Sequence, residues 1–532
     1  MSINFTRKII PLICAVTLCA AAAAAAAAEQ ESSESTESER NSITVIDLKH
    51  EYDLNPHTAN YSSEAQILTG LYEGLFSYDP YTLEPVPALA ESYKLSRNKL
   101  RWTFTLRENA AFSDGTPITA QTVKNSWITL LAPETHAPFA SLLDCIEGAY
   151  EYRTGAAAAG SVAITVHDER TLSVALTAPA EHLNRILCHH AFAAVSPEPG
   201  IYSGAFVLDS YADDTLELVK NPQYWDAENV KLDAITVRQS DDTTENTYAF
   251  NIGKADWIAS NADIASVIDK TAIRLSAEFA TEYLFFKADR FPWNQAAFRN
   301  ALLTAVPWEQ LRAQALVPAE TFIYPVSGYE MPAGLNDYFP DEAKLMLTRA
   351  KAEAGLQEAD GVSVTLAVSD SPYMLSMAEL LKTAWERIGV TVDVRKTPAN
   401  RYLQSISGWN ADLFVYTWIG DFADPLAFLE LFRTGSTMGE SAWSNAEYDT
   451  LLDSASKKTD YERFALLSRA EDVLLSDGVV IPISHPVALN VIDTAAIGGW
   501  YTNALDIHPL KYLFRQTTEP YVPNLVRADI PR

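Results

Sequence analysis

The chain has 532 residues, 48% of them apolar and 20% charged, with a formal net charge of −29 from 40 basic and 69 acidic side chains. That length is too great for one hydrophobic core and implies roughly two to four domains. A surface this acidic excludes nucleic acid and anionic membrane as electrostatic partners; attraction of cationic groups and plain solubility both remain open as its purpose.

The N-terminus reads as a targeting segment. Arg7 and Lys8 supply its positive end, residues 9–18 an apolar stretch, and residues 20–28 an unbroken alanine run. Cleavage within that run, at the latest after Ala28, gives residues 1–28 as a signal peptide. Cys19 offers the alternative of a lipid anchor, although Leu18 rather than a small residue precedes it. Residues 29–41 form an acidic, Ser- and Thr-rich stretch that cannot bury a core and reads as a disordered tether. No later stretch is long and apolar enough to span a bilayer. The chain is therefore expected in the periplasm or another extracytoplasmic space, free or tethered at its N-terminus. Cys145 and Cys188 either pair there or remain buried thiols.

Order is expected to begin near Ser42 with a strand over 43–48, followed by a helix over 63–71. Residues 100–106 alternate with period two and predict a half-buried strand. Asp114-Gly115-Thr116-Pro117 is a turn, and Thr119 caps a helix through Val123 and Trp127. Residues 161–176 predict a hairpin turning at Asp168-Glu169. Strands follow at 206–208, 216–219 and 235–237, then a helix over 243–250. A helix from Asp341 to Gly355, a strand over 362–368, a helix over 374–388 and a strand over 390–394 make a β-α-β run, which implies a right-handed crossover and a parallel pair. The second half is α/β; the first is mixed, with antiparallel content.

Catalytic signatures are missing from the sequence. It has no G-x-S-x-G, H-E-x-x-H, P-loop or G-x-G-x-x-G pattern and no zinc-type cluster, and its histidines are scattered apart from His189-His190. No enzyme, metal or cofactor is expected from these residues. One segment stands out: Trp418-Ile419-Gly420-Asp421-Phe422-Ala423-Asp424-Pro425, behind the strand-like run 413–417. A carboxylate framed by aromatic rings is costly to desolvate unless a cation meets it. Asp421 is thus a candidate receptor for a cationic ligand group, or else part of a turn; Asp424 reads as the cap of the next helix, with Pro425 at its first position.

The chain resembles the extracytoplasmic solute-binding proteins of ABC importers, in particular the oligopeptide- and dipeptide-binding group. Leu71-Tyr72-Glu73-Gly74-Leu75, Pro87 to Ser92, Trp102 to Arg107 and Phe112 to Ala120 match its signature blocks in order and spacing. Ser203-Gly204-Ala205-Phe206, Lys220-Asn221-Pro222-Gln223-Tyr224-Trp225 and Trp443 to Asp449 continue the match. The resemblance implies an α/β, two-lobed fold of the periplasmic-binding-protein kind with an extra inserted domain and a ligand cleft between the lobes. Lobe I would use 42–84, 203–282 and 500–516, the insert 85–202 and lobe III 283–499, leaving 517–532 as a tail. It also implies a monomer that binds short peptides, pairs their backbone as an added strand, and serves a membrane ABC permease. Asp421 falls where such proteins hold the ligand's α-ammonium, and Trp418, Tyr283 and Glu73 match cleft positions. Glu73 is equally suited to bracing its helix. Lys287 and Gln295 depart from the family's usual Asn and Asp, and no arginine shortly before Trp418 is available for a ligand carboxylate. Rival readings are another solute on the same fold (a nickel chelate, haem or a sugar), an exported carboxylate-based hydrolase, and an adhesion protein.

Overall fold

The computed structural model describes residues 41–516, apart from 181, 260, 327, 399–400, 403–405, 407, 421, 423 and 459. The targeting segment, Cys19, the tether up to residue 40, the tail at 517–532 and Asp421 lie outside the described residues.

Three larger sheets organise the chain. The first has seven strands in the order Ile273–Ala277, Val487–Ile492, Trp257–Ala259, Ser42–Asp47, Ala234–Gln239, Thr215–Lys220 and Phe206–Ala212. Ser42–Asp47 runs parallel to both its neighbours, and the outer pairs are antiparallel. The second sheet has five strands in the order Val390–Thr397, Val362–Ser369, Leu413–Ile419, Ala280–Phe286 and Val480–Ser484. A four-stranded antiparallel sheet, built from Ala90–Leu95, Arg101–Leu106, Thr171–Ala175 and Ile164–Val166, forms the body of the insert.

Local sequence accounts for these elements. Trp102, Phe104 and Leu106 alternate onto the buried face of Arg101–Leu106, as period two requires. The helix Pro372–Arg387 starts at Ser371, whose hydroxyl accepts from Met374 N at 3.3 Å, and has Pro at its first turn. Its buried stripe of Met377, Ala378, Leu381 and Trp385 follows helical spacing, and Gly389 ends it at a φ of +96°. The flanking strands pair in parallel from Val362 opposite Val390, as the β-α-β pattern requires. Gly204 is a packing glycine: a Cβ there would land on backbone atoms of Gly70, Leu71 and Tyr72 at the end of the helix Ser62–Leu71.

Two short crossings join the first sheet to the second, at residues 278–279 and 485–486. They are laced together: Glu278 N donates to Pro486 O at 3.0 Å and Phe279 N to Ala504 O at 2.7 Å. His485 Nδ1 lies 3.0 Å from Ala280 O. The return to the first lobe therefore comes after Ser484, where the sequence keeps residues up to 499 in lobe III. Val487–Ile492 pairs with Trp257–Ala259 and Ile273–Ala277. A short apolar strand looks the same in either sheet, so its sequence does not announce which one it joins. One face of the second sheet packs on Trp385, Phe298 and Leu381. The other carries Phe285, Phe414 and Trp418 and is continuous with the core of the insert.

Candidate functional site

The strand Leu413–Ile419 lies at the centre of the site. Along one side it pairs with Ala280–Phe286 over its whole length, Tyr283 opposite Tyr416. Along the other, Val362–Ser369 reaches only Leu413 and Phe414. The Tyr402 hydroxyl closes that ladder, accepting from Val415 N at 2.9 Å and donating to Ala367 O at 2.9 Å. From Thr417 to Ile419 this edge has no strand partner among the described residues. An unpaired strand edge is a template for another extended chain.

Beside this edge lies a cavity of about 260 Å³. Tyr283, Phe285, Tyr416 and Phe432 wall it from the second lobe, and Asn60 and Pro138 from the opposite side. The walls are held together by Thr437, whose hydroxyl donates to Pro138 O at 2.9 Å and accepts from Ser141 N at 3.2 Å. The two sides of the cleft are therefore drawn together in this structure. Tyr283 is buried, and burial, then the nearby Tyr416, push its hydroxyl well above the ordinary value. Trp418 stacks on Tyr416 with ring centroids 6.3 Å apart and donates from Nε1 to Ala427 O at 2.9 Å.

Gly420 and Asp424 are each held by distant parts of the chain. Gly420 N donates to Phe279 O at 2.8 Å, on the crossing between the lobes. A side chain at Gly420 would collide with the Phe279 and Phe428 rings. Asp424 accepts from Leu426 N at 2.9 Å, as a helix cap does, and also takes two bonds from Arg463 at 2.7 and 2.8 Å. Burial alone would raise the Asp424 carboxyl, but the Arg463 guanidinium overcomes it and holds the group below its usual value. Sequence pattern finds the cap because capping is local; Arg463 lies 39 residues away and carries no such signal.

Glu73 is not among the residues that wall this cavity. Both its oxygens lie 3.0 Å from Lys511 Nζ, and it accepts a short bond from the Tyr224 hydroxyl. Burial would lower the Lys511 ammonium, and Glu73 outweighs it, leaving the group above its usual value. Lys287, at one of the departures, donates to Ile406 O at 3.4 Å and lies over the Phe414 ring. Gln295 stands at the start of the helix Ala296–Thr304 without capping it through its side chain.

Cys145 and Cys188 are free thiols. Burial pushes Cys145 up to about 12 and raises Cys188 as well. His189 and His190 are buried, with ring centroids 4.0 Å apart, and burial lowers both, His190 to about 4. Among the described residues no group of His, Cys, Asp and Glu is arranged to hold a metal ion, and no helix is long and apolar enough to cross a membrane.

Two lobes on separate sheets, joined by short crossings and closed over an aromatic cavity beside an open strand edge, define a cleft-type ligand-binding protein. The chain belongs to the bacterial extracellular solute-binding proteins, family 5, matching the family's middle region over residues 84–440. It is 28% identical over 431 residues to the dipeptide-binding protein DppE of Bacillus subtilis (strain 168), covering 75% of this chain and 78% of that one. The structure of the Escherichia coli murein tripeptide binding protein MppA matches with a TM-score of 0.79 at 25% identity, over 90% of this chain and 99% of that one. The unliganded open form of MppA matches less closely, with a TM-score of 0.63 at 25% identity over 90% and 98%. The lobes here are thus set less like those of the open form.

Proposed function

We propose that the protein is an exported binder that captures short peptides between its lobes and delivers them to the membrane permease of an ABC importer. The observation that carries this reading is the strand edge from Thr417 to Ile419, which has no strand partner among the described residues and runs beside the aromatic cavity. A peptide laid there gains main-chain hydrogen bonds whatever its side chains, which suits a receptor for many sequences. The relatives DppE and MppA are named for binding a dipeptide and a murein tripeptide.

In this reading Asp421 receives the ligand's α-ammonium at the head of the edge, and Trp418 and Tyr283 form the walls. Glu73 serves the site from a distance, holding lobe I together through Lys511. Lobe I, the inserted domain and lobe III act as three bodies, with the crossings at 278–279 and 485–486 as the hinge. The protein works as a monomer without metal or cofactor, outside the cytoplasm, and its reaction is transport rather than turnover.

The test is calorimetry with free and N-acetylated tripeptides, on the parent chain and on Asp421→Asn. Free peptides are expected to bind at least about tenfold more tightly than acetylated ones, and the substitution to abolish that difference. Equal affinity of the two proteins for free peptides would remove Asp421 from the site. Native mass spectrometry of protein taken from its own host is expected to show co-purified peptide; a non-peptide cargo would overturn the reading.

A further inference from the structure

A second cavity, of about 280 Å³, lies within lobe I behind the crossing between the lobes. It sits at the carboxyl ends of the parallel strands Ser42–Asp47 and Trp257–Ala259, the end at which α/β sheets receive ligands. Trp257, Ile67, Leu510 and Val487 give it apolar walls. Its polar lining includes three carboxylates, Asp47, Glu278 and Asp506, with Ser62, Ser63 and Gln66, whose amide is bonded to the His508 backbone.

The three carboxylates differ in what they already hold. Asp47 accepts from the Tyr52 hydroxyl and from Leu48 N, both at 2.7 Å. Asp506 accepts from Asn490 Nδ2 at 2.9 Å and lies 3.1 Å from His508 Nε2. Glu278 is only 9% exposed, yet no described residue donates to its carboxylate or pairs with it. A buried carboxylate without a partner is costly, and the cost is removed when a cation arrives. Burial, then the charge of Asp506, push Glu278 up to about 7, so it is partly protonated near neutral pH.

Position ties this cavity to the cleft. Glu278 immediately precedes Phe279, whose carbonyl accepts from Gly420 N, and the strand carrying Tyr283 begins at Ala280. Asn60 walls the cleft cavity, and Ser62, two residues on, lines this one. A shared metal ion is disfavoured, since the carboxylates are not grouped to ligate one. An alkyl stem lying on Trp257 and Ile67 and ending in a cationic head fits both the apolar walls and the unpartnered carboxylate.

We propose that this cavity is a subsite for an alkylammonium or alkylguanidinium group, the side chain of a basic residue in a peptide held by the cleft. The inference rests on the peptide reading, and the test separates the two. Trialanine carrying lysine at each position in turn is compared by calorimetry with its norleucine counterpart, on the parent chain and on Glu278→Gln. At one position lysine is expected to bind about tenfold or more tightly than norleucine. Glu278→Gln, which keeps the main-chain bond from residue 278 to Pro486 O, is expected to erase that preference. A lysine preference absent at every position, or one that survives in Glu278→Gln, overturns the subsite while leaving peptide binding intact.

If the parent binds no peptide, the peptide reading fails and 1,5-diaminopentane decides the subsite. Binding by the parent and not by Glu278→Gln supports it; binding by neither, or equally by both, overturns it. A further measurement needs no variant. Asp506, bonded to His508, is the charged group acting on Glu278, with Asp47 across the cavity; Ser62, Ser63, Trp257 and Val487 bring no charge. Lysine-peptide binding at pH 7 is therefore expected to release a proton that norleucine-peptide binding does not, read from heats in buffers of different ionisation enthalpy. Equal proton release for the two peptides counts against the proposal.

Discussion

Replacing Glu73 by glutamine leaves the Lys511 ammonium buried, 8% exposed, with no carboxylate. The pair closes lobe I at a junction of separate chain segments. Glu73 N donates to the Ser203 hydroxyl at 3.0 Å, Ala194 N donates to Glu73 O at 3.0 Å, and Lys511 comes from near the C-terminal end. Removing one partner of a buried ion pair costs about 3–5 kcal/mol, because the other charge is stranded. Tyr224 lies 3.4 Å from Lys511 Nζ and offers a weak neutral acceptor, which places Glu73→Gln toward the lower end of that range. Lys511→Met alone is expected to cost less, since Glu73 keeps the bond from the Tyr224 hydroxyl. The double variant Glu73→Gln/Lys511→Met is expected to recover at least about 2 kcal/mol relative to the sum of the single changes, as a neutral pair strands nothing. The assay is denaturant unfolding of the ligand-free chain followed by tryptophan fluorescence, with peptide calorimetry in parallel. A loss below about 1 kcal/mol for Glu73→Gln, together with a large loss of affinity, would refute the bracing argument and make Glu73 a ligand contact.

Glu471 is fully buried, accepts from Tyr329 at 2.7 Å and Ile323 N at 2.8 Å, and is pushed by burial up to about 7 from an ordinary 4.5. Between those values the native chain keeps a proton that the unfolded chain has released, so stability falls as pH rises through that window, by about 3 kcal/mol in all. Glu471→Gln is expected to flatten that slope in denaturant titrations from pH 4.5 to 8; parallel slopes for the two proteins would contradict it. Gly204→Ala drives a methyl group into backbone atoms at the end of the helix Ser62–Leu71 and is expected to cost about 1–3 kcal/mol or more, read from the unfolding midpoint. An unchanged midpoint would show that the contact can relax. Cys188, buried and with its thiol raised, is expected to react with a disulfide reagent only after denaturation; rapid labelling of Cys188 in the native chain would refute its burial.

The legible parts of the chain were those with local causes. Alternation at Trp102, Phe104 and Leu106 marked a strand, and Thr119 marked the helix Ala120–Leu131, which it caps through Thr122 N at 3.2 Å. The run from Val362 to Thr397 announced a parallel pair because strand, helix and strand each carried their own period and stops. In the segment Trp418 to Pro425, Asp424 accepts from Leu426 N as a cap does, while its Arg463 partner was hidden by distance.

Sequence by itself determined the family, the alternation of helices and strands, and the residues to examine around Asp421, because propensity, period and capping act within a few residues. Tertiary structure alone decided that Val487–Ile492 returns to the first sheet, that Val362–Ser369 pairs with only Leu413 and Phe414 of its neighbour, and that Lys511 meets Glu73 across 438 residues of chain. It alone set Glu278 in one cavity with Asp47 and Asp506, without a partner for its carboxylate among the described residues. The physical reason is common to all of these. A charge or a strand edge has a value set by what lies opposite it, and what lies opposite is chosen by the packing of distant segments, which no local pattern encodes.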